Sequence, residues 1–351
     1  MKKACIQRTR IDCLNVLNNR EKALLALKNT ELAVIGGTGF VGTWIAEMVA
    51  ALNDDYQFRI KLSLISRSAN QFSARLPHLA SRGDIDLVAA DVRQLGQFPM
   101  GAEWVIHAAA TPDVRTHASK PLDTASTIVD GTMSVMRIAE RLGQLKKLLY
   151  LSSGLVCGPQ SGSQNGLAEN ASGSWPPEAS FVYQNAKRFS ETVCSAARVQ
   201  SRIPVSVARP FSFIGPYQSL DTPWAQTTFL ADALRGKSIR VLGDGQVKRS
   251  YLYGSDVAFW LLKLVTAGET GDVINVGSSE GITLQELARL TAKNFSPTPD
   301  VIFNVSPRKS ARMEYFFPDT TYARTKFGLS VMTPIEEAVR LTTQWHILQH
   351  G

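Results

Sequence analysis

Tyr183 and Lys187 stand four residues apart in the segment YQNAK. On a helix that spacing puts both side chains on one face, where they can reach a common ligand. A free phenol ionises near pH 10 and a neighbouring cation lowers that value, so the pair can move a proton near neutrality. Ser152 and Ser153 close the apolar run KLLYLSS (147–153) ahead of it. Ser153 is placed to hold a carbonyl oxygen that Tyr183 would protonate. A second constellation lies earlier in the chain. Gly36, Gly39 and Gly42 form G-x-x-G-x-x-G between ELAVI (31–35) and VGTWIAEMVAAL (41–52). Glycines between a strand and a helix let backbone approach a pyrophosphate, which the helix N-terminus then faces. After the next strand, where a carboxylate would hold the ribose 2′-hydroxyl, the chain has Ser66-Arg67-Ser68. A guanidinium and hydroxyls suit a 2′-phosphate, which points to NADP, with NAD the alternative. Asp91-Val92, after the third strand, is placed to accept from the adenine amino group.

The elements that must position these groups alternate. ELAVI (31–35), FRIKLSLI (58–65), IDLVAA (85–90), WVIHAAA (104–110), KLLYLSS (147–153) and PVSVARP (204–210) read as strands. Helices are predicted over 41–52, 121–143 and 180–199. Such alternation predicts an α/β fold, a Rossmann-type doubly wound parallel sheet covered on both faces. Apolar groups at 11, 14, 17, 24, 25 and 27 predict an amphipathic helix over 11–28, ahead of the main fold. From about 211, Pro, Gly and aromatic residues become frequent, as in FSFIGPYQSLDTPW. The expected organisation is an N-terminal helical extension (1–30), an NAD(P)-binding domain (31–210) and a smaller C-terminal substrate lobe (211–351) interwoven with it.

Composition excludes several classes. With 44% hydrophobic and 19% charged residues the chain has the make-up of a globular protein, not a disordered one. No apolar run approaches the roughly 20 residues that span a bilayer, so no membrane association is expected. MKKACIQRTR has no apolar stretch behind its basic start, and no signal peptide is read. Cys5, Cys13, Cys157 and Cys194 include no CxxC, which suits reduced thiols in a cytoplasm and no metal site. The net charge is +8, but the Lys and Arg residues are scattered. Nucleic acid is therefore not expected as a partner; a mildly basic enzyme binding anionic small molecules needs no more.

In this order the motifs resemble the extended short-chain dehydrogenase/reductase family of nucleotide-sugar epimerases, dehydratases and reductases, over about residues 30–345. GGTGFVG (36–42) resembles the cofactor loop, which implies cofactor contacts for Gly36, Thr38, Gly39, Phe40, Val41 and Gly42. HAAA (107–110) resembles the segment passing the nicotinamide ribose and implies Ala108. The resemblance implies that Ser153, Tyr183 and Lys187 are catalytic, that Tyr183 and Lys187 also contact cofactor, and that Ser153 also contacts substrate. RSYLYGSD (249–256) resembles the segment with a phosphate-contacting arginine, implying Arg249 for the substrate diphosphate, with Arg312 a second candidate. A homodimer is implied through helices near 121–143 and 180–199.

Departures narrow the chemistry. Ile35, Ile128, Cys157 and Ser212 stand where many members have Thr, Asn, Tyr and Asn. More telling, dehydrating members carry an Asp-Glu pair after the serine, and decarboxylating members a Glu in this stretch. Here those positions are Gly154 and Leu155, which cannot move a proton. SSGLVCG (152–158), TIVDGT (127–132) and the leading helix look like reductases of nucleotide-linked 4-keto-6-deoxy sugars. In such enzymes hydride goes to C4 and the tyrosine protonates the oxyanion. The alternatives are a nucleotide-sugar 4-epimerase with tightly bound NAD, and a non-catalytic NADP-binding regulatory protein.

Overall fold

A computed structural model describes residues 1–96, 98–111, 113–158, 166–171, 173–304 and 315–350. Its centre is a seven-stranded, wholly parallel sheet. Six strands are β1 (Glu31–Ile35), β2 (Lys61–Ile65), β3 (Ile85–Val88), β4 (Trp104–His107), β5 (Lys147–Leu151) and β6 (Val205–Pro210). The seventh is Val273–Val276, and the spatial order runs Val273–Val276, β6, β5, β4, β1, β2, β3. Alternate side chains feed two cores. Leu32, Val34, Leu62, Leu64, Ile106 and Leu149 enter one, with the helices Phe40–Tyr56 and Gly254–Ala267. Ala33, Ile35, Ile65, Val105, Leu148 and Tyr150 enter the other, with the helices Pro121–Ala139 and Val182–Ser201. Burial on both faces explains the nearly unbroken apolar runs of these strands. β1 pairs with both β2 and β4, so the strand order reverses there, and ligands bind at the carboxyl ends beside such a switch point.

Chain beyond 210 makes three small sheets: Phe213–Ile214 with Leu252–Tyr253; Lys248–Arg249 between Ile282–Thr283 and Tyr315–Phe316; and Ile239–Leu242 with Val301–Asn304. The same stretch returns Val273–Val276 to the main sheet beside β6.

The leading segment differs from a helix over 11–28. The α-helix is Lys3–Leu17, followed by a 3-10 helix Glu21–Leu27. Asn19 takes a left-handed φ of 58° and turns the chain between them. Leu17, Leu24 and Leu27 are fully buried, while Leu25 stays half exposed. β1 spans the run read for it, whereas β2, β3 and β4 are shorter than their apolar runs. Arg59 at φ 57° keeps Phe58–Ile60 out of β2, and Ala108–Ala110 leave the sheet to cross the glycine turn. Thr9 and Tyr217 share the carboxylate of buried Glu47, which also meets His78 Nε2 at 2.9 Å. Asp12 accepts from Tyr253 Oη at 2.8 Å. These bonds tie the leading helix to the helix Phe40–Tyr56 and to the chain beyond 210.

Candidate active site

The glycine turn leaves β1 at the switch point. Gly36 has φ +83°, and a Cβ there would sit 2.7 Å from the Ala109 nitrogen. A Cβ on Gly42 would lie 2.2 Å from the Gly37 carbonyl oxygen. Larger residues at either position would push β4 or the helix away. Gly39 is different: it is exposed, and an added Cβ would meet only the Gly36 oxygen, at 3.5 Å. No protein packing demands that glycine. It is also the N-cap of Phe40–Tyr56 and supplies no side-chain acceptor to the first N–H groups of the helix. Bare amides, a helix dipole and clear space above the backbone fit a pyrophosphate, so these residues fit a dinucleotide.

Around this cradle Thr38 Oγ1 donates to Ser66 Oγ at 2.8 Å, and Arg75 donates to the Thr38 carbonyl at 2.8 Å. Arg75, which carries no motif, is thus a cation on the loop that sequence reading misses. Phe40 stacks toward Phe213 with ring centroids 6.2 Å apart, and Val41 packs on the core. Ala108 donates its N–H to Ile35 at 2.8 Å, against the turn. Arg67 lies half exposed with Nη1 3.8 Å from Asp91 Oδ2. The Asp91 carboxylate is gripped by Arg93 through its backbone N–H, Nε and Nη2, which holds its pKa below the usual range. Oδ2 receives a single hydrogen bond within 3 Å, from Arg93 Nη2, and retains acceptor capacity. Val92 is 7% exposed and lies against Gly131 of the helix Pro121–Ala139.

β5 delivers Ser153 to the same edge. It caps the 3-10 turn Gly154–Cys157, accepting from the Leu155 N–H at 3.2 Å, and its hydroxyl lies beside the Tyr183 phenol. Tyr183 and Lys187 lie on the helix Val182–Ser201, as their spacing predicts. Ile128, Ala186, Leu155 and Ala110 make an apolar pocket around the phenol. Burial pushes Tyr183 up to about 12, and the neighbouring Ser153 hydroxyl offsets only part of that rise. The expected lowering of the phenol by Lys187 is not what this arrangement does. Lys187 Nζ donates to the Leu151 carbonyl at 2.6 Å and lies 5.0 Å from the Tyr150 ring. Burial lowers its own pKa to about 7. At neutral pH the phenol keeps its proton, as a free phenol does, and burial only widens that margin, so it can act as a donor.

Gly154 and Leu155 complete the pocket. A Cβ on Gly154 would lie 2.6 Å from the Phe211 ring, so Phe211 fills the space a side chain would need. Phe211 meets Phe316 in a tilted contact with ring centroids 4.8 Å apart, and the guanidinium of Arg249 lies 5.6 Å from the Phe316 ring centre. Two rings thus link the active-site turn to Arg249, which also donates to the Lys248 carbonyl. Arg312 lies outside the described residues. Of the nearby carboxylates, Glu169 accepts from the Asn275 N–H at 3.0 Å and Glu178 is exposed. Cys157, like the other three cysteines, is buried. Among the described residues no group of His, Cys, Asp and Glu could hold a metal, and no helix is long and apolar enough to cross a membrane.

A parallel sheet with a glycine cradle at its switch point and a Ser/Tyr/Lys set beside it defines a dinucleotide-dependent enzyme. Residues 32–277 match the model of the NAD dependent epimerase/dehydratase family, and the chain belongs to that family. It is an NAD(P)-dependent enzyme of the extended short-chain dehydrogenase/reductase type. UDP-glucuronic acid decarboxylase 5 of Arabidopsis thaliana is 24% identical over 328 residues, covering 92% of this chain and 91% of that protein. UDP-glucuronic acid decarboxylase 1 of Danio rerio is 24% identical, covering 90% and 72%. Among solved structures, UDP-glucose 4-epimerase of Thermotoga maritima superposes with a TM-score of 0.77 at 21% identity, covering 92% of this chain and 100% of that one. UDP-glucuronic acid 4-epimerase of Bacillus cereus, in complex with UDP-glucuronic acid and NAD, gives 0.77 at 19% identity, with 92% and 100% covered.

Proposed function

We propose that the protein is an NADP-dependent reductase of a nucleotide-linked 4-keto-6-deoxy sugar. The observation that carries this reading is the Tyr183 phenol beside Ser153, followed at the next two positions by Gly154 and Leu155, which offer no acid or base. Phe211 fills the space over Gly154, and Leu155 packs in the Tyr183 pocket. Removing water or carbon dioxide from a sugar needs side chains that this wall lacks, whereas reducing an existing ketone does not. A bound reduced nicotinamide would supply the hydride. Ser153 would hold the carbonyl oxygen, Tyr183 would protonate it as negative charge develops, and Lys187 would steady the site from below. Arg67, with the Thr38–Ser66 hydroxyls nearby, favours the 2′-phosphate of NADP over NAD. Arg249 is the candidate for the substrate diphosphate, and Arg312 remains a second.

A 4-epimerase with tightly bound NAD is the second reading, because Ser153, Tyr183 and Lys187 suffice for it without a carboxylate. Stoichiometric NADPH consumption supports the reductase; a cofactor that cycles without net turnover supports the epimerase. A homodimer is proposed through the helices Pro121–Ala139 and Val182–Ser201. Leu122 is 85%, Phe189 55% and Val199 78% exposed there, an apolar surface that a second copy would cover.

A further inference from the structure

We propose that His117 is a positioning residue for Tyr183, fixing the phenol ring and shielding it from water. The proposal rests on Tyr183 being the proton donor. The imidazole lies flat against the phenol, with ring centroids 4.5 Å apart and planes 14° from parallel. It is held there by a bond of 2.6 Å between Nε2 and the Thr111 carbonyl. A carbonyl only accepts, so Nε2 carries the hydrogen and the tautomer is set. The nearly parallel planes also exclude direct proton transfer between the two rings. Each in-plane lone pair or N–H of the imidazole runs alongside the phenol, not toward its oxygen. What remains is contact and cover.

The element that carries His117 points the same way. The helix Val114–Ser119 buries none of its residues, and Val114 is 54% exposed. It adds nothing to either core. Asp113 caps it through the Arg115 N–H, and its His117 imidazole lies inward on Tyr183. The phenol itself is only 9% exposed although the helix Val182–Ser201 lies near the surface. Ile128, Ala186, Leu155 and Ala110 supply apolar walls and His117 covers a ring face. The other ionisable groups beside the phenol are Tyr150 on β5 and Lys187 one turn along.

The test uses the full-length protein labelled with carbon-13 at the tyrosine Cζ, titrated by NMR from about pH 8 to about pH 11. Tyr183→Phe identifies the resonance. In the wild type Tyr183 should stay protonated across this range. In His117→Ala it should begin to ionise within it, moving by about one pH unit or more toward the ordinary phenol value. His117→Phe restores an aromatic cover and should titrate like the wild type. Wild-type behaviour in His117→Ala, or matching shifts in His117→Ala and His117→Phe, would overturn the proposal. Turnover of Tyr183→Phe on a 4-keto-6-deoxy nucleotide sugar tests the proton-donor reading separately. Retained turnover would remove that reading and leave the titration result standing.

Discussion

The neighbours of Tyr183 add to a preference that the phenol already has at neutral pH, which is to keep its proton. Burial among Ile128 and Leu155 raises its pKa further, and Lys187 is turned down toward the Leu151 carbonyl. Tyr183→Phe should keep the fold and cofactor affinity yet lose roughly 10²–10⁴ in turnover, the range for a general acid; steady-state kinetics beside a thermal melt will show both. Lys187→Met should in addition weaken cofactor binding, measured by fluorescence titration. Arg67 makes only a long ion pair with Asp91, so little structure depends on it. Arg67→Ala should therefore weaken NADPH binding about tenfold or more and leave NADH nearly unchanged, because a charge-assisted bond to phosphate is worth about 1.5–3 kcal/mol. A wild-type preference for NADH in the same titration would end the NADP assignment. At this scale the motif residues are legible in sequence, since spacing alone puts Tyr183 and Lys187 on one face. His117 and Phe211 are not. A lone histidine has no spacing partner, and nothing in the residues around Gly154 says which ring fills the space beside it.

Strands were legible for a related reason. Burial on both faces leaves an apolar run that no amphipathic surface element shows. The leading helix was not, because apolar spacing does not register that Asn19 turns the backbone left-handed between Leu17 and Leu24. That helix carries a pH signature. Burial raises Asp12 to about 6 from an ordinary 3.8, with Tyr253 donating to it. The native state thus binds this proton more tightly than the unfolded chain. The group's contribution to stability is intact below about pH 4 and falls as pH rises to about 6, by up to about 3 kcal/mol. Asp12→Asn keeps an acceptor for Tyr253 and abolishes that dependence. Denaturant melts should show it gaining on the wild type between pH 4 and pH 7; parallel curves would contradict the burial account. The helices Pro121–Ala139 and Val182–Ser201 make the other element-scale prediction. Phe189→Glu, a charge on the exposed apolar face, should shift the protein from dimer toward monomer in analytical ultracentrifugation.

Across the whole molecule, one sheet edge gathers what lies far apart in the chain. The glycine turn from 36–42, Ser153 from β5, the Tyr/Lys helix and the aromatic pair Phe211–Phe316 meet at the carboxyl ends of the strands. The family resemblance and the family match agree on this frame. What differs from a decarboxylase or dehydratase reading is the chemistry of the wall, where glycine and leucine stand in place of proton-moving groups. The purified protein should therefore be given NADPH with a nucleotide hexose and, separately, with its 4-keto-6-deoxy derivative, while absorbance and products are followed. NADPH should be oxidised stoichiometrically and C4 reduced with the keto sugar alone. Formation of a 4-keto-6-deoxy product from the unmodified hexose, or interconversion of C4 isomers with no net use of NADPH, would contradict the reductase reading.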